Sequence, residues 1–242
     1  KKTVHLSSYD LQDAFGSVSH NLIPLVLKHY NVPEDVIKYI DNLYSKLNGV
    51  VQTKEWTSIP FQFRRGVFQG DTYSPIIFLV TFNPIIQYLK EFEDKYGYEM
   101  NIKDADNNMI KSAKIITTPF CDDFNILTRH KISHQKLQDD IQSKVSSMGL
   151  TLKPKKCRTL SVVSGKPSDI KFTLTDTVTN TKVALKTLVE EPHKFLGQIL
   201  TFKNSSKDHF EFLKQKLETK LTNLESAPVR SEYKIATYDR YW

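Results

Sequence analysis

The chain has 242 residues, and 34 Lys and Arg against 27 Asp and Glu give it a formal net charge of +7. A composition of 39% hydrophobic and 25% charged residues is typical of a folded protein and excludes disorder as its main state. Two cysteines, Cys121 and Cys157, are too few for a disulfide framework or an all-cysteine zinc site. The most apolar run, 75–86, is shorter than the roughly 20 residues of a bilayer-spanning helix, so no membrane partner is expected.

Hydrophobic spacing in the first half of the chain predicts a strand, two amphipathic helices, two short strands and a long apolar helix. The long helix begins with Ser74 as N-cap and Pro75 at its first position. It is too apolar for a surface helix, so it is expected to pack on a sheet. The predicted bounds are, in order, 3–9, 21–30, 33–49, 50–56, 59–63 and 74–95.

The second half of the chain contains a hairpin signal. Two apolar strands, 114–120 and 124–128, are interrupted only by Cys121-Asp122-Asp123, which predicts a hairpin with an acidic tip. A polar helix then begins at Ser133 and ends at Met148, with His130 and His134 expected as surface side chains. Further strands are predicted at 158–163, 170–174, 183–188 and 194–200, followed by a basic helix at 207–224.

The order of these elements predicts the fold class. Strands and helices are mixed without strict alternation, which favours an α+β fold with a mostly antiparallel sheet backed by helices. No repeat or low-complexity segment interrupts the chain. The excess of positive charge favours a polyanionic partner.

Carboxylates stand at two points of the predicted sheet. Asp10 ends the first strand, and Asp122 and Asp123 form the hairpin tip, so adjacent strands of one sheet would bring them together. Such a cluster is typical of a site for two Mg²⁺ ions, which take carboxylate oxygens and leave positions for water and substrate phosphates. Because successive strand residues face opposite sides, one acid of the pair is expected to be the firm ligand, and we assign that role to Asp122.

An acidic turn has a simpler explanation, since aspartate is common in turns for local hydrogen bonding. The residues on either side of this turn are apolar, however, including Ile115-Ile116 and Ile126-Leu127. Two like charges close to a core are costly unless a cation compensates them. The sequence therefore favours the metal site over the plain turn.

Five short stretches carry a family resemblance. They are YDLQDAF at 9–15, QGDTYSP at 69–75, FCDD at 120–123, GLTL at 149–152 followed by Lys156, and KFLG at 194–197. In this order they resemble the successive palm motifs of reverse transcriptases, and the run Arg64-Arg65-Gly66-Val67 is similar to non-LTR, LINE-like retrotransposon enzymes. The resemblance implies a right-hand polymerase palm over 1–205 and the start of thumb or connection helices in 206–242, with the fingers absent and the thumb truncated.

The same resemblance implies roles for particular residues. Asp10 and Asp122 would hold the two metals with the Leu11 backbone carbonyl, Asp123 would support them, and Lys156 would stand near the departing pyrophosphate as a general acid or charge stabiliser. Phe15 would exclude a 2′-hydroxyl and so select deoxynucleotides. The remaining implied sites are a nucleotide pocket of Leu11, Asp13, Ala14, Phe15, Gln69 and Gly70, and a primer grip of Lys194, Phe195, Leu196 and Gly197.

The activity implied is that of an RNA-directed DNA polymerase, with an RNA template, a DNA primer or duplex and dNTPs as partners. Its cofactor would be Mg²⁺, two ions, with Mn²⁺ as a possible substitute, and its location intracellular, in the nucleus or the cytoplasm. No oligomeric state is predicted. Two alternatives stay open, namely an inert palm relic that binds nucleic acid as a scaffold and an RNA-templated RNA polymerase. Gly16, Cys121 and Lys153 depart from the residues most common at their motif positions.

Overall fold

The computed structural model describes residues 3–106, 108–195, 198–200, 206–230 and 233. The chain forms two compact units, Lys1–Thr187 and Leu188–Trp242. The first unit contains the acids of the predicted site. The sequence-predicted boundary, between residues 205 and 206, rests on motif positions and stays a prediction.

The described residues of the first unit form ten helices and strands up to the predicted hairpin tip and seven more after it. They are, in chain order, β1 (Val4–Tyr9), α1 (Ala14–Ser17), α2 (Leu22–His29), α3 (Glu34–Ser45), β2 (Asn48–Gly49), β3 (Phe61–Gln62), α4 (Ser74–Glu91), α5 (Glu93–Tyr96), β4 (Tyr98–Lys103), β5 (Met109–Ile115), β6 (Phe124–Thr128), α6 (Lys131–Ser147), β7 (Arg158–Val163), β8 (Lys166–Ser168), β9 (Thr173–Asp176), β10 (Thr181–Ala184) and β11 (Lys186–Thr187). The second unit contains β12 (His193–Phe195), β13 (Gln198–Leu200) and α7 (Ser206–Ser226).

The central sheet has five strands. Its order is β11-β7-β1-β6, with β8 also paired to β7. Strand β1 is antiparallel to both of its neighbours, and among these pairs only β11 with β7 is parallel. The predicted α+β fold with a mostly antiparallel sheet is therefore confirmed.

The two faces of β1 have different surroundings, because successive side chains of a strand point to opposite faces. Ser7 and Tyr9 face α6, where the Ser7 hydroxyl lies 2.7 Å from His134 Nε2 and the Tyr9 hydroxyl donates to Gln138 Oε1 at 2.8 Å. The same face carries rings that pack toward α4, with Tyr9 stacked on Phe124 at 4.9 Å. Helices cover this face, and Asp10 follows on the other one.

Helix α4 supplies much of the core. The rings of Phe78 and Phe82 are buried and stack on each other at 5.8 Å, and Phe82 contacts Phe124 of β6 at 5.4 Å. The long apolar helix was predicted, but its ends were wrong. Its N-cap is Tyr73, since Ser74 is already helical, and it stops at Glu91, where Phe92 breaks it from α5.

The strand predicted at 50–56 was wrong, and that predicted at 59–63 is reduced to Phe61–Gln62 of β3. Strand β3 pairs with β2, which precedes this stretch, and Gln52 and Thr57 form an isolated bridge. Val50, Trp56 and Ile59 are exposed, Ile59 by 86%. These β-branched and aromatic residues have no core to pack on. Strand propensity depends on such packing, so it does not produce a strand here.

The predicted hairpin exists with a different first strand. Residues 109–115 form β5, which pairs with β4, a strand that the pattern did not predict, instead of extending to residue 120. Residues 116–120 still meet β6, through bridges of Thr117 with Ile126 and of Phe120 with Asp123. The acidic pair therefore lies at a tight turn, as predicted.

The remaining elements shift by a few residues or divide. The strand predicted at 170–174 is β9 at 173–176, that at 183–188 is β10 with β11, and that at 194–200 is the hairpin of β12 with β13. The basic helix corresponds to α7. Helix α6 begins at Lys131 with His130 as its N-cap, so Ser133 was wrongly taken as its start. None of the described helices is long and apolar enough to cross a membrane.

His134 was wrongly expected at the surface. It is fully buried, with one ring nitrogen 2.7 Å from the Ser7 hydroxyl and the other 3.0 Å from the Thr128 hydroxyl. Burial lowers the pKa of His134 to about 3, so the ring stays neutral at physiological pH. Helix α6 also uses amide side chains to hold the edge of β9, since both Gln135 and Gln138 donate to the Thr173 carbonyl.

Gln138 is the centre of this buried polar contact and gives a stability prediction. Its Oε1 accepts from the hydroxyls of Ser7 and Tyr9, and its Nε2 donates to Thr173 O at 2.6 Å. Gln138→Leu leaves these groups buried without their partner, so we expect a loss of about 2–4 kcal/mol in the free energy of unfolding. Urea denaturation measures it, with the exposed Lys136→Leu on the same helix as control. A loss equal to that of the control would contradict the prediction.

Candidate metal and nucleotide site

The register of β1 on β6 brings two predicted acids together. Tyr9 and Phe124 form the last pair of the register, and Asp10 and Asp123 follow them at the ends of the two strands. Directly opposite residues of antiparallel strands share a face. Because Tyr9 faces the helices, Asp10 and Asp123 lie on the opposite face of the sheet.

A two-residue turn carries the third acid. Phe120 and Asp123 exchange backbone hydrogen bonds of 2.7 and 3.0 Å, and Cys121 has a φ of 55° between them. Asp122 interacts electrostatically with both Cys121 and Asp123. The structure thus places Asp122 beside Asp123, and its assignment as the firm metal ligand stays a prediction.

A loop from the far side of the sheet reaches the same strand end. Leu11 bridges Leu152, with the amide of Gln12 donating to Thr151 O at 2.8 Å and that of Lys153 to Asp10 O at 3.1 Å. The bridge does not use the Leu11 carbonyl, the atom that the resemblance assigns to a metal. The sequence pattern did not reveal this docking.

Lys156 extends from this loop to Asp10. Its Nζ donates to Asp10 Oδ2 at 3.3 Å and lies at the same distance from Oδ1, with the Lys156 side chain 57% exposed and that of Asp10 30%. Asp10 Oδ1 is buried and takes no hydrogen bond from any residue that the structure describes. This buried oxygen has the Lys156 ammonium as a charge partner but no hydrogen bond, so a divalent ion at this position would be stabilising.

The oxygen donors at this end of the sheet fit Mg²⁺. Within the described parts of the chain, no three His, Cys, Asp or Glu side chains form a ready-made cage for a metal ion. Mg²⁺ in phosphoryl-transfer sites is usually held by one or two carboxylates, with water and substrate phosphates completing its shell. Asp10, with its unbonded Oδ1, and Asp123 on the same face supply that kind of site.

Charge is unfavourable at Asp123 in the absence of a cation. Burial raises the pKa of Asp123 above its usual value, the negative charges of Asp122 and Asp10 raise it further, and the Lys156 ammonium opposes them. Burial also raises the pKa of the two nearby thiols, that of Cys157 to about 12.

The predicted nucleotide-binding residues next to Asp10 form a compact corner. Asp13 has a φ of 45° and precedes α1, Ala14 is buried, and Phe15 is half-buried. The amide of Val67 donates to Phe15 O at 2.8 Å, and that of Gly66 to Val18 O at 2.8 Å. These two hydrogen bonds attach residues 66–67 to the segment after Asp10, and the sequence analysis did not predict them.

Glycine is required where these two segments come into contact. Gly66 has a φ of 92°, and a Cβ added to it would lie 3.0 Å from the carbonyl oxygen of Gly16. A left-handed backbone in such close contact admits little besides glycine. The pair Gly16 and Gly66 was therefore the available sequence signal for the contact.

A continuous series of rings connects Phe15 to the acids. Phe15 stacks on Phe78 at 4.9 Å with 12° between the planes, and Phe78 stacks on Phe82. Phe82 contacts Phe124, which stacks on Tyr9. Phe124 follows Asp123 and Tyr9 precedes Asp10, so one packed core sets the positions of Phe15 and of both acids.

Other predicted residues are only partly placed. Gln69 and Gly70 are exposed in the loop before α4, with Gly70 at a φ of 93°. In the second unit, Phe195 ends β12, its ring 6.4 Å from that of His193, and Lys194 belongs to the same strand. Leu196 and Gly197 lie outside the described residues. The roles of this nucleotide pocket and primer grip stay predictions.

Comparison with known proteins decides the family. Residues 1–200 match the family model described as reverse transcriptase (RNA-dependent DNA polymerase). The chain belongs to the reverse transcriptase family. The predicted resemblance to the enzymes of non-LTR retrotransposons is confirmed, because the curated relatives of this reverse transcriptase chain are Pol polyproteins of R2 retrotransposable elements.

These relatives are longer than the chain. It is 29% identical to the R2DM polyprotein of Drosophila melanogaster over 69% of this chain and 14% of the relative. It is 30% identical to an R2 polyprotein of Nasonia vitripennis over 70% and 15%, and 26% identical to one of Popillia japonica over 97% and 36%. The chain thus spans about a third or less of each.

Solved structures share the fold. A telomerase of Candida albicans, solved with a fragment of telomeric RNA, superimposes with a TM-score of 0.52 at 14% identity, covering 89% of this chain and 34% of the telomerase. A telomerase of Candida tropicalis gives 0.51 at 15% identity, covering 75% and 30%. The reverse transcriptase chain thus shares its fold with these telomerases.

The pKa of Asp123 gives a prediction with a defined sign. A raised carboxyl pKa means that the stability of the folded state is highest below the ordinary value of 3.8 and falls as pH rises through the raised value. Asp123→Asn removes this loss, so we expect the unfolding temperature of the metal-free chain to rise by about 2 °C at pH 7. Thermal unfolding between pH 7 and pH 3.5 measures it.

The difference between Asp123→Asn and the parent chain should shrink toward pH 3.8. Asp41→Asn, on the exposed face of α3, removes the same charge and serves as control. A difference that is absent at pH 7, or that grows on acidification, would show that Asp123 is not electrostatically strained.

Proposed function

We propose that the chain is the catalytic palm of an RNA-directed DNA polymerase, which adds dNTPs to the 3′-hydroxyl of a primer along an RNA template. The observation that supports this most is that Asp10 and Asp123 stand next to the last pair of β1 and β6, with their carboxyl groups close enough to interact electrostatically and Asp10 Oδ1 buried without a hydrogen bond, within a chain of the reverse transcriptase family. Phosphoryl transfer of this kind depends on charge neutralisation and positioning.

Four residues would hold the two ions. Asp10 and Asp122 are the proposed ligands, with Asp123 in support and the Leu11 carbonyl, which is not engaged in the bridge to Leu152, as a backbone donor. Mg²⁺ held by these residues, or Mn²⁺ in its place, would supply charge neutralisation for the triphosphate and activation of the primer hydroxyl. The carboxylates bind the ions and do not act as general bases.

The chain around Phe15 would bind the incoming nucleotide. The Phe15 ring stacks on Phe78, which is fully buried, and the Phe15 carbonyl accepts a hydrogen bond from the Val67 amide. A ring held this firmly is suited to exclude a 2′-hydroxyl. Asp13, Ala14, Gln69 and Gly70 would complete the pocket, with Gly70 allowing backbone to approach the substrate.

Further residues would contact the nucleic acid and the leaving group. Lys156 stands at the acidic cluster and would meet the departing pyrophosphate. The primer grip, residues 194–197, would position the primer end. RNA template and DNA primer would be held mainly through their backbones, so binding should weaken as salt rises. Action on chromosomal DNA would place the protein in the nucleus.

Primer extension tests the metal ligands. On an RNA template with a DNA primer and Mg²⁺, Asp10→Asn and Asp122→Asn should each lower deoxynucleotide incorporation by at least about a hundredfold, because each removes a ligand charge. Asp41→Asn makes the same chemical change on an exposed helix and should be neutral. Extension by the acid variants at the parent rate would contradict the metal assignment, whereas absence of extension by the parent chain would favour an inert, nucleic-acid-binding relic.

Sugar selection tests Phe15. Phe15→Val opens space beside the ribose, so we expect the ratio of kcat/KM for rNTP to that for dNTP to rise at least about tenfold. Phe92→Val, at a second half-buried ring on the core, controls for lost packing. A parent chain that uses both nucleotides equally, or a variant that leaves the ratio unchanged, would instead favour an RNA polymerase or another gate.

A further inference from the structure

Lys156 occupies an unexpected position for a residue assigned to the leaving group. Its ammonium lies 3.3 Å from both carboxylate oxygens of Asp10, the residue assigned to the metal. An ammonium and a divalent ion repel each other at such distances and would compete for the same oxygens. The two assigned roles therefore exclude each other as long as this ion pair persists.

We propose that Lys156 fills the cation position on Asp10 in the resting protein and that a divalent ion displaces it, so that ion binding and release of the Lys156 ammonium are a single exchange. This inference rests on the proposed function, in that it takes Asp10 as a metal ligand. It makes Lys156 a positioning residue that neutralises Asp10 before the ion arrives. Its amine becomes available for the pyrophosphate only after loading.

The backbone around Lys156 suits an exchange of this kind. The amide of Lys156 donates to Lys153 O at 2.9 Å, and the amide of Lys153 donates to the main-chain oxygen of Asp10 at 3.1 Å. The loop is thus tied to Asp10 through its main chain, independently of the ion pair. The side chain can leave the carboxylate without the loop detaching.

The side chain itself is free to move. It is 57% exposed, so its four-carbon stem can rotate into solvent without opening the core. Asp10 is more enclosed, at 30%, and its Oδ1 is the buried oxygen that takes no hydrogen bond from a described residue. The ammonium thus neutralises the carboxylate but makes no hydrogen bond to Oδ1, and a coordinated ion would engage that oxygen directly.

Binding of Mn²⁺ alone to the 242-residue chain tests the exchange without any turnover. The free ion is followed by its electron paramagnetic resonance signal, in the absence of nucleotide and nucleic acid. Lys156→Met removes the competitor, so its affinity for Mn²⁺ should rise about fivefold over the parent chain. Lys155→Met removes the same charge from the neighbouring exposed side chain, and its affinity should change less than about twofold.

A double-mutant cycle in metal-free buffer checks that the effect belongs to the ion pair. Lys156→Met should lower the unfolding temperature of the parent chain but not that of an Asp10→Asn chain, because the partner charge is already gone. Lys156→Gln gives a second, polar replacement. Circular dichroism identifies any variant that fails to fold.

The outcomes separate the inference from the proposed function. Unchanged or weaker Mn²⁺ binding by both Lys156 variants, alongside clear binding by the parent chain, would overturn the exchange and leave the metal site intact. Absence of Mn²⁺ binding by the parent chain and by every lysine variant would overturn the metal site, and the exchange with it. A rise that Lys155→Met reproduces would show a general charge effect and also overturn the exchange.

Discussion

The pairing of β1 with β6 is the constraint on which the site depends. Tyr9 opposite Phe124 fixes which residues follow on each strand, and a slip of one residue would move Asp10 to the helix-covered face. The register is held from the covered side, where Tyr9 and Phe124 stack within the buried core that α4 completes. The acids are thus positioned by apolar packing on the face that they do not occupy.

The two faces of β1 hold polar groups in opposite electrostatic states. Toward α6, burial keeps Tyr9 and His134 neutral, raising the pKa of the phenol and lowering that of the imidazole, and hydrogen bonds satisfy both. Toward the open face, Asp10 pairs with the Lys156 ammonium. Because its side chains alternate, one strand can face both surroundings. The uncharged contact with α6 on one face thus fixes the position of the charged Asp10 on the other.

Local pattern was sufficient where an element buries its own regular face. Strand β1, helix α2 and helix α4 appear close to their predicted positions, since their apolar residues repeat at the spacing of the structure they form. The same reasoning failed at 50–63, where apolar residues remain exposed, and at His134, whose burial depends on Ser7 in a distant strand. Periodicity records a preference to be buried, and long-range packing determines whether burial occurs.

The site shows the same division between local and distant information. The motifs identified Asp10, Asp123 and Lys156, but Lys156 meets Asp10 across 146 residues of sequence, through a bridge of Leu11 with Leu152 that no local pattern specifies. Because the main chain of this loop and its lysine both attach to Asp10, the end of β1 links the acids to the cation that neutralises them. A change in the charge of Asp10 therefore acts first on Lys156, whose ammonium lies 3.3 Å from the carboxylate.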